Sequence, residues 1–447
     1  MKLQGKTLKS NFLRFIIPSI LAQWVFTLYT IVDGIFVAKG VSEVALTAVN
    51  ISMPFTTALF SISILFAVGN STIVAIFLGG KREREASEAF TQNLVFLGIF
   101  SIIISVLIMT NLETVANFLG ATDLTRKYVC EYVGTIAPFA VAFVFSYSFE
   151  MLIKTDGFPK KAMLIVVSGA LMNCLLDYIF VILFKWGVFG AAFATGLSQA
   201  MVCVFYILHF ACKKGILRFT KFKWKTSLIM REARNGIASG LVEFSSGFYI
   251  FIFNQMIIHY LNENALVSFT IIAYVNALVV MSMAGIAQGV QPLISYYYGQ
   301  NNWVNCKKLL RYCLTATGVM ALAFFVVYFS GTDLIVKLFV SKDKLDLIES
   351  SRVVFRIFNF SYLIVGFNIV IGGFFTSVEK PLQAISISLC RGFLVISGCL
   401  FILTFFFQGN GIWWAPLLSE GCCLLLSLLF LKKALTKDHK CIAVLDE

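Results

Sequence analysis

Two carboxylates in otherwise apolar stretches are the residues of this sequence best placed to do chemistry. Asp33 is the only acid in the run 12–38, and Asp177 is the only acid in the run 162–184. An ionisable side chain at bilayer depth costs roughly 2.5–3.5 kcal/mol to insert, so it usually faces a cavity or a partner. The two acids therefore predict an ion site inside a membrane protein.

Two further polar side chains are predicted to lie at the depth of Asp177. Residues equally far from the tight turn expected at Trp186 share one depth, and Asp177 and Thr195 each lie nine residues from it. Asn173 precedes Asp177 by four residues and so shares its helix face. At 1.5 Å per residue these groups and Asp33 lie roughly 10–15 Å below the outer membrane surface.

The chemistry of this cluster leaves two ions open. Two carboxylates in a poorly solvated pocket cannot both ionise cheaply, so the pair could hold a proton. A hard cation such as Na⁺ could instead bridge them, with the Asn173 and Thr195 oxygens completing the shell. The structural alternative is that each acid only caps a helix or bonds a backbone group.

The elements that position these residues are predicted to be membrane-spanning helices. The chain has 447 residues, of which 59% are hydrophobic and 13% charged, against about 25% charged in a soluble protein. Stretches of about 20 apolar residues cross a bilayer, and this many of them predict a helical bundle. The first run is too long for a signal peptide and is kept as a span. Twelve spans are predicted, at residues 12–38, 51–78, 91–111, 128–152, 162–184, 188–211, 236–260, 268–298, 309–330, 352–376, 384–407 and 411–431.

The distribution of charge argues against nucleic acid as the partner of this chain. The net charge is +13, but most of the 36 Lys and Arg fall in the segments that are cytoplasmic when both termini are cytoplasmic. That bias sets the orientation of a multi-pass protein in the cell membrane. The largest basic block, in the linker 212–235, is expected to touch anionic lipid headgroups.

An internal repeat at a shift of about 220 residues divides the chain into two halves. The segment 42–51 aligns with 262–271, and matched glycines and prolines follow at the same shift: Gly69 and Gly289, Gly79 and Gly299, Pro159 and Pro381. Six spans per half predict parallel repeats that rock about a site between them. The predicted parts are an N-lobe (1–211), a basic cytoplasmic linker acting as hinge (212–235), a C-lobe (236–431) and a cytoplasmic tail (432–447).

The second half lacks the polar cluster. At the matching positions Asp33, Asn173, Asp177 and Thr195 are replaced by Phe253, Val395, Cys399 and Pro416. The repeat therefore keeps the scaffold without the site, and ion coupling is expected to belong to the first lobe.

With these features the chain resembles the multidrug and toxic compound extrusion (MATE) family of secondary transporters. The resemblance rests on twelve spans in two lobes, on the run Tyr29–Gly40 that contains Asp33, and on the glycine-ended turn Phe77–Ser87. It implies that Asp33, Asn173, Asp177 and Thr195 bind Na⁺ or H⁺, and that Pro18 is a conformational hinge. A static kink at Pro18 is the alternative.

Candidate cargo contacts are less well defined. Some members of the family carry a second acidic pair, for which Glu243 is one partner, but no Asp occurs in the span 352–376. The remaining candidates for contact with substrate are Gln23, Asn359 and Glu420. The acids could instead pair inside the lobe with Arg356 or Arg391.

The sequence as a whole predicts an antiporter that exports amphipathic, cationic compounds in exchange for Na⁺ or H⁺, without a cofactor. Small molecules and membrane lipids are its expected partners, and it is expected to be a monomer and not an enzyme. The residues around Asp33 and Asp177 lack the contexts of an intramembrane aspartyl protease. A flippase for lipid-linked or amphipathic substrates, from the same superfamily, is the alternative function.

Overall fold

The computed structural model describes residues 7–340 and 344–443, so the last four residues of the predicted tail lie outside the described part. All regular structure in these residues is helical. The α-helices are α1 (Leu8–Gly40), α2 (Glu43–Gly79), α3 (Glu83–Thr110), α4 (Leu112–Phe118), α5 (Arg126–Ile136), α6 (Ala140–Thr155), α7 (Pro159–Asp177), α8 (Gly187–Ala211), α9 (Thr226–Tyr260), α10 (Glu263–Gly299), α11 (Trp303–Ser330), α12 (Thr332–Phe339), α13 (Leu345–Asn359), α14 (Tyr362–Ser377), α15 (Pro381–Leu389), α16 (Val395–Phe407) and α17 (Gly411–Ala443).

Local sequence explains where several of these helices begin. The hydroxyl groups of Thr7 and Ser42 accept hydrogen bonds from the backbone N–H groups of the first turns of α1 and α2, at 3.2 and 3.1 Å. Such caps satisfy donors that a helix start leaves without partners. Pro159 and Pro381 open α7 and α15, where a proline loses no hydrogen bond.

The spans can be counted from these helices. By length and hydropathy, 10 helical stretches of the described residues can cross a membrane, or 11 when the bent pair α13 and α14 is one span. One of them, Pro381–Thr436, contains the 3₁₀ turn Gln408–Asn410 between α16 and α17, which pack against each other. Counting that stretch as two helices gives the twelve predicted spans.

The chain forms two compact units. One contains the described residues up to Phe244 together with Gln288–Leu309, and the other contains Ser245–Ala287 and the described residues from Leu310 onward. In the first unit α1 packs on α7, and α7 packs on α8. The lobe boundaries expected from the repeat stay predictions, because compactness in one conformation does not test which parts move together.

The predicted linker runs along the first unit from Cys212 to Lys225 without helical structure. The backbone N–H of Ile216 donates to Asp156 Oδ1 at 2.7 Å, and Leu217 is buried. Further on, Lys225 and the Gln92 side chain exchange two hydrogen bonds, of 2.8 and 3.2 Å. The linker therefore lies on the first unit through specific bonds.

Candidate ion-coupling site

The packing of three helices places the predicted cluster. Asp33 lies near the end of α1, and Asp177 is the last residue of α7, directly before a π-helical segment, Tyr178–Leu183. Insertions of this π-helical kind often occur at functional sites. After the π-helical segment, Lys185 and Gly187 take positive φ angles of 55° and 64°, which reverse the chain into α8.

The structure brings the four predicted side chains together. Asn173 Nδ2 lies 3.5 Å from Thr195 Oγ1 across the α7–α8 hairpin, and the Thr195 hydroxyl donates to the Ala191 carbonyl at 3.0 Å. The carboxyl groups of Asp33 and Asp177 lie close enough to interact with each other electrostatically. Asp177 is 0% exposed and Asn173 is also buried.

Four buried oxygens of this cluster, from Asp33, Asn173 and Asp177, have no donor among the described residues. Among the described residues, both Asp177 carboxylate oxygens, Asp33 Oδ1 and Asn173 Oδ1 are buried without a hydrogen-bond partner. Two ionised carboxylates can only accept, so neither satisfies the other. Buried polar atoms are normally paired, and their exceptions require an explanation. A proton shared by the carboxyl groups, or a small cation among the four oxygens, would supply what is missing.

Two tyrosines complete the surroundings of the carboxylates. Tyr29, one turn before Asp33 on α1, and Tyr132, buried on α5, both lie close enough to Asp33 and Asp177 to interact with them electrostatically. The four-residue spacing of Tyr29 and Asp33 is a signal that sequence reasoning could have used. Tyr132 comes from another helix, and nothing in its local sequence indicates the site.

Three further predicted residues also lie in the first unit. Pro18 lies inside the continuous helix α1. Gln23, on the same helix, donates from Nε2 to Gln288 Oε1 at 2.9 Å. Glu243 on α9 is partly buried and lies near the hydroxyl of Tyr147. These residues do not join the four-residue cluster through any hydrogen bond between described side chains.

The other two candidate cargo residues lie in the second unit and have structural partners. Asn359 is buried and donates to the Phe325 carbonyl at 2.9 Å. Glu420 accepts from Arg391 Nε at 2.8 Å and from Asn368 Nδ2 at 2.7 Å. The pairing that the sequence left open for Glu420 is therefore present.

The side chains of the cluster offer oxygen atoms as ligands. Among the described residues, no group of three or more His, Cys, Asp or Glu side chains could hold a metal. The cluster offers two carboxylates, an amide oxygen and a hydroxyl, which are the ligand types that hard cations take.

Comparison with known proteins identifies the architecture. A solved structure described as an outward-facing multidrug resistance MATE family transporter of the MOP superfamily superimposes with a TM-score of 0.92 at 20% identity, over 97% of each chain. A MOP superfamily transporter from Pyrococcus furiosus, described as having a binding pocket of reverse polarity that suggests a different function, gives a TM-score of 0.90 at 20% identity, over 96% of each chain. The predicted all-helical fold of twelve spans in two lobes is confirmed.

The sequence comparisons agree. The Multidrug export protein MepA of Staphylococcus aureus (strain MSSA476) is 23% identical over 438 residues, which are 95% of this chain and 94% of that protein. The sequence model of the MatE family matches residues 18–179 and again residues 239–401, at the shift of the internal repeat. The fold and these matches define a multi-pass membrane transporter.

The chain belongs to the MatE family, the multidrug and toxic compound extrusion transporters. This confirms the resemblance drawn from the sequence. Members of the family are transporters and not enzymes, as predicted.

Proposed function

We propose that the protein is a secondary active antiporter that exports amphipathic, cationic compounds in exchange for Na⁺ or H⁺. The observation that carries this proposal is the neighbouring carboxyl groups of Asp33 and Asp177, of which both Asp177 oxygens and Asp33 Oδ1 are buried with no donor from the described residues. A charge held in this way inside a membrane protein has a functional reason more often than a structural one.

The coupling ion would occupy the first-unit cluster. Na⁺ would be coordinated by carboxylate oxygens of Asp33 and Asp177, with Asn173 Oδ1 and Thr195 Oγ1 nearby. H⁺ would bridge the two carboxyl groups and leave the Asn173–Thr195 contact in place. Either ion removes repulsion between the carboxylates, and an ion drives transport only through its different affinity for two conformations.

The positive charge proposed for the cargo follows from a partly exposed acid, Glu243. Glu243 is partly buried and would attract a cation, and Gln23 is a further candidate for contact with the cargo. The 46 Phe and 12 Met of the chain suit a soft-walled cavity that accepts varied apolar shapes. The name of the MepA relative, a multidrug export protein, supports the proposal that this protein exports varied compounds.

The proposed setting is the cell membrane, with both termini cytoplasmic. The outer faces of α3 and α16 expose large apolar side chains, among them Ile102, Val106 and Phe405, as lipid-facing helices do. Membrane lipids are therefore proposed as partners of the protein. We propose that it functions as a monomer. In the proposed cycle, binding of the ion from outside bends α1 about Pro18 and displaces the cargo outward.

The test is efflux of ethidium, an amphipathic cation, from vesicles that contain the protein, with imposed Na⁺ or pH gradients. Efflux driven by one gradient and lost in Asp33→Asn would establish antiport and name the ion. Efflux that ignores both gradients, or that is normal in Asp33→Asn, would contradict the proposal. In that case a flippase assay with a labelled lipid would be the next experiment.

A further inference from the structure

A second buried acid lies far from Asp33 along the helices, at the end of the first unit where α9 begins. Glu232 is 0% exposed, although its position falls within the predicted basic linker. Oε1 accepts from Asn70 Nδ2 on α2 and Oε2 accepts from Asn93 Nδ2 on α3, both at 2.8 Å. The guanidinium of the adjacent Arg231 lies close enough to interact with it electrostatically.

The backbones of α9 and α2 meet closely around this acid. A Cβ atom at Gly69 would collide with the carbonyl oxygen of Glu232, and one at Gly236 would collide with the carbonyl oxygen of Leu65. Glycine permits this approach because it has no side chain. The carboxylate therefore lies where two helices are in direct backbone contact.

The same turn of α2 also holds α10. Gln291 donates from Nε2 to the carbonyl of Val68 at 3.0 Å and to Thr72 Oγ1 at 2.6 Å. Both α9 and α10 belong to the second half by sequence, yet their segments 226–244 and 288–299 lie in the first compact unit. Glu232 of α9 and Gln291 of α10 thus each form hydrogen bonds with the turn Val68–Thr72 of α2.

A buried carboxylate held by amides favours either a fully packed or a fully separated arrangement of the helices. When α9 is packed on α2 and α3, the Glu232 carboxylate accepts two charge-assisted hydrogen bonds. When the helices are fully separated, water would supply its hydrogen bonds. A partial separation would leave the charge dry and without donors, which is strongly unfavourable. Such a group opposes gradual opening and gives a contact that opens as a unit.

We propose that Glu232, Asn70 and Asn93 form a latch that holds α9 on α2 and α3 while the predicted cytoplasmic end of the transporter is closed. The latch releases as a unit when that end opens. This inference rests on the alternating access of the proposed function, but its test needs neither cargo nor ion.

The test measures how fast a buried cysteine reacts with a water-soluble maleimide in the purified protein. The reporter is Ser71→Cys, in a background whose native cysteines are replaced, because Ser71 is 0% exposed and lies against Gln291. A second reporter, Ser148→Cys, is also 0% exposed but lies on α6. Each reporter is combined with Glu232→Gln, with Asn93→Ala, and with the control Glu83→Gln on the exposed start of α3.

Loss of one charge-assisted hydrogen bond is expected to speed labelling of Ser71→Cys about tenfold. Ser148→Cys should keep its rate, and Glu83→Gln should change neither reporter. The proposal is overturned if Glu232→Gln leaves the Ser71→Cys rate unchanged. It is also overturned if both reporters accelerate equally, since that result would mean general destabilisation.

Discussion

Asp33 and Asp177 in the first unit and Glu420 in the second unit have opposite surroundings. In the first, Asp33 and Asp177 face each other, and their buried oxygens have no donors among the described residues. In the second, Glu420 is held by Arg391 and by Asn368, whose Oδ1 in turn accepts from Ser427 at 2.9 Å. One unit carries a charge that needs an added ion, and the other carries an acid whose charge is already neutralised.

This difference predicts different roles for the two units. A site that changes its occupancy must gain and lose a charge at low cost, and an internal Arg–Glu pair cannot do so without leaving its partner buried and unpaired. The second half also has Phe253 and Val395 where the first has Asp33 and Asn173. The comparison predicts that the coupling ion acts on the first unit, while the polar network of the second unit is structural.

Substitution of the two aspartates is expected to have the largest effect and tests the difference between the units most strongly. Asp33→Asn and Asp177→Asn should each lower gradient-driven efflux about 100-fold, because each removes a carboxylate that the ion needs. The double variant should be no worse than either single one, since the two groups act as a unit. Efflux of ethidium from vesicles measures all three variants.

Expression and monodispersity in detergent provide the control for folding. Additive losses in the double variant would contradict a shared site. Near-normal efflux in either single variant would do the same.

The largest loss of stability is expected in the second unit. Glu420→Gln leaves the partly buried Arg391 guanidinium without its counter-charge, and loss of a hydrogen bond between charged groups costs about 1.5–3 kcal/mol. Thermal unfolding in detergent should show a clear fall in Tm. The apolar pair Glu420→Leu with Arg391→Met should recover most of it, because a buried ion pair is replaceable by packing.

If the double replacement abolished ion-driven efflux in a stable protein, the second unit would have a coupling role and the comparison would fail. Retained coupling in that variant would support the assignment of ion coupling to the first unit alone.

A smaller effect is expected at Thr195. Thr195→Val removes the hydroxyl that faces Asn173 Nδ2 while keeping the shape of the side chain. Loss of one such contact costs about 1 kcal/mol, which is roughly a fivefold weaker dependence on the ion. The concentration of ion that gives half-maximal efflux measures it.

Thr195→Ser keeps the hydroxyl and is the matched control, expected to behave like the parent. Equal effects of the two substitutions would indicate that packing, and not the oxygen, matters at this position.

The smallest effect is expected at Pro18. Pro18→Ala restores a backbone hydrogen bond in α1 and favours a straight helix. Turnover should fall by less than about fivefold, while binding of the ion at equilibrium stays unchanged. A static kink would leave turnover as it is, so the rate of efflux at saturating gradient separates the two roles.

Much of this architecture could be predicted from the sequence because hydropathy and charge bias respond directly to the bilayer. Asn173, Asp177 and Thr195 were identifiable because spacing along two helices joined by a tight turn fixes their depth, and Asp33 because it is the only acid in its apolar run. The π-helical segment after Asp177 and the contribution of Tyr132 depend on packing between helices that are distant in sequence.

Glu232 shows the limit of the same reasoning. Its charged neighbours Arg231 and Arg234 placed it in the basic linker, but the structure buries it between α2 and α3. Local polarity cannot reveal two amide donors that come from other helices. For Glu420 the sequence left open a cargo contact or a pairing with Arg356 or Arg391, and the structure shows the pair with Arg391.

The most direct test of the central claim is ion binding to the purified protein. We would measure proton release into weak buffer, and displacement of ²²Na⁺, when ethidium is added to the parent, to Asp177→Asn and to Glu420→Leu with Arg391→Met. The account predicts that ethidium displaces one kind of ion from the parent and from the second-unit variant, and none from Asp177→Asn. Displacement that survives in Asp177→Asn, or that is lost only in the second-unit variant, would contradict a coupling site in the first unit.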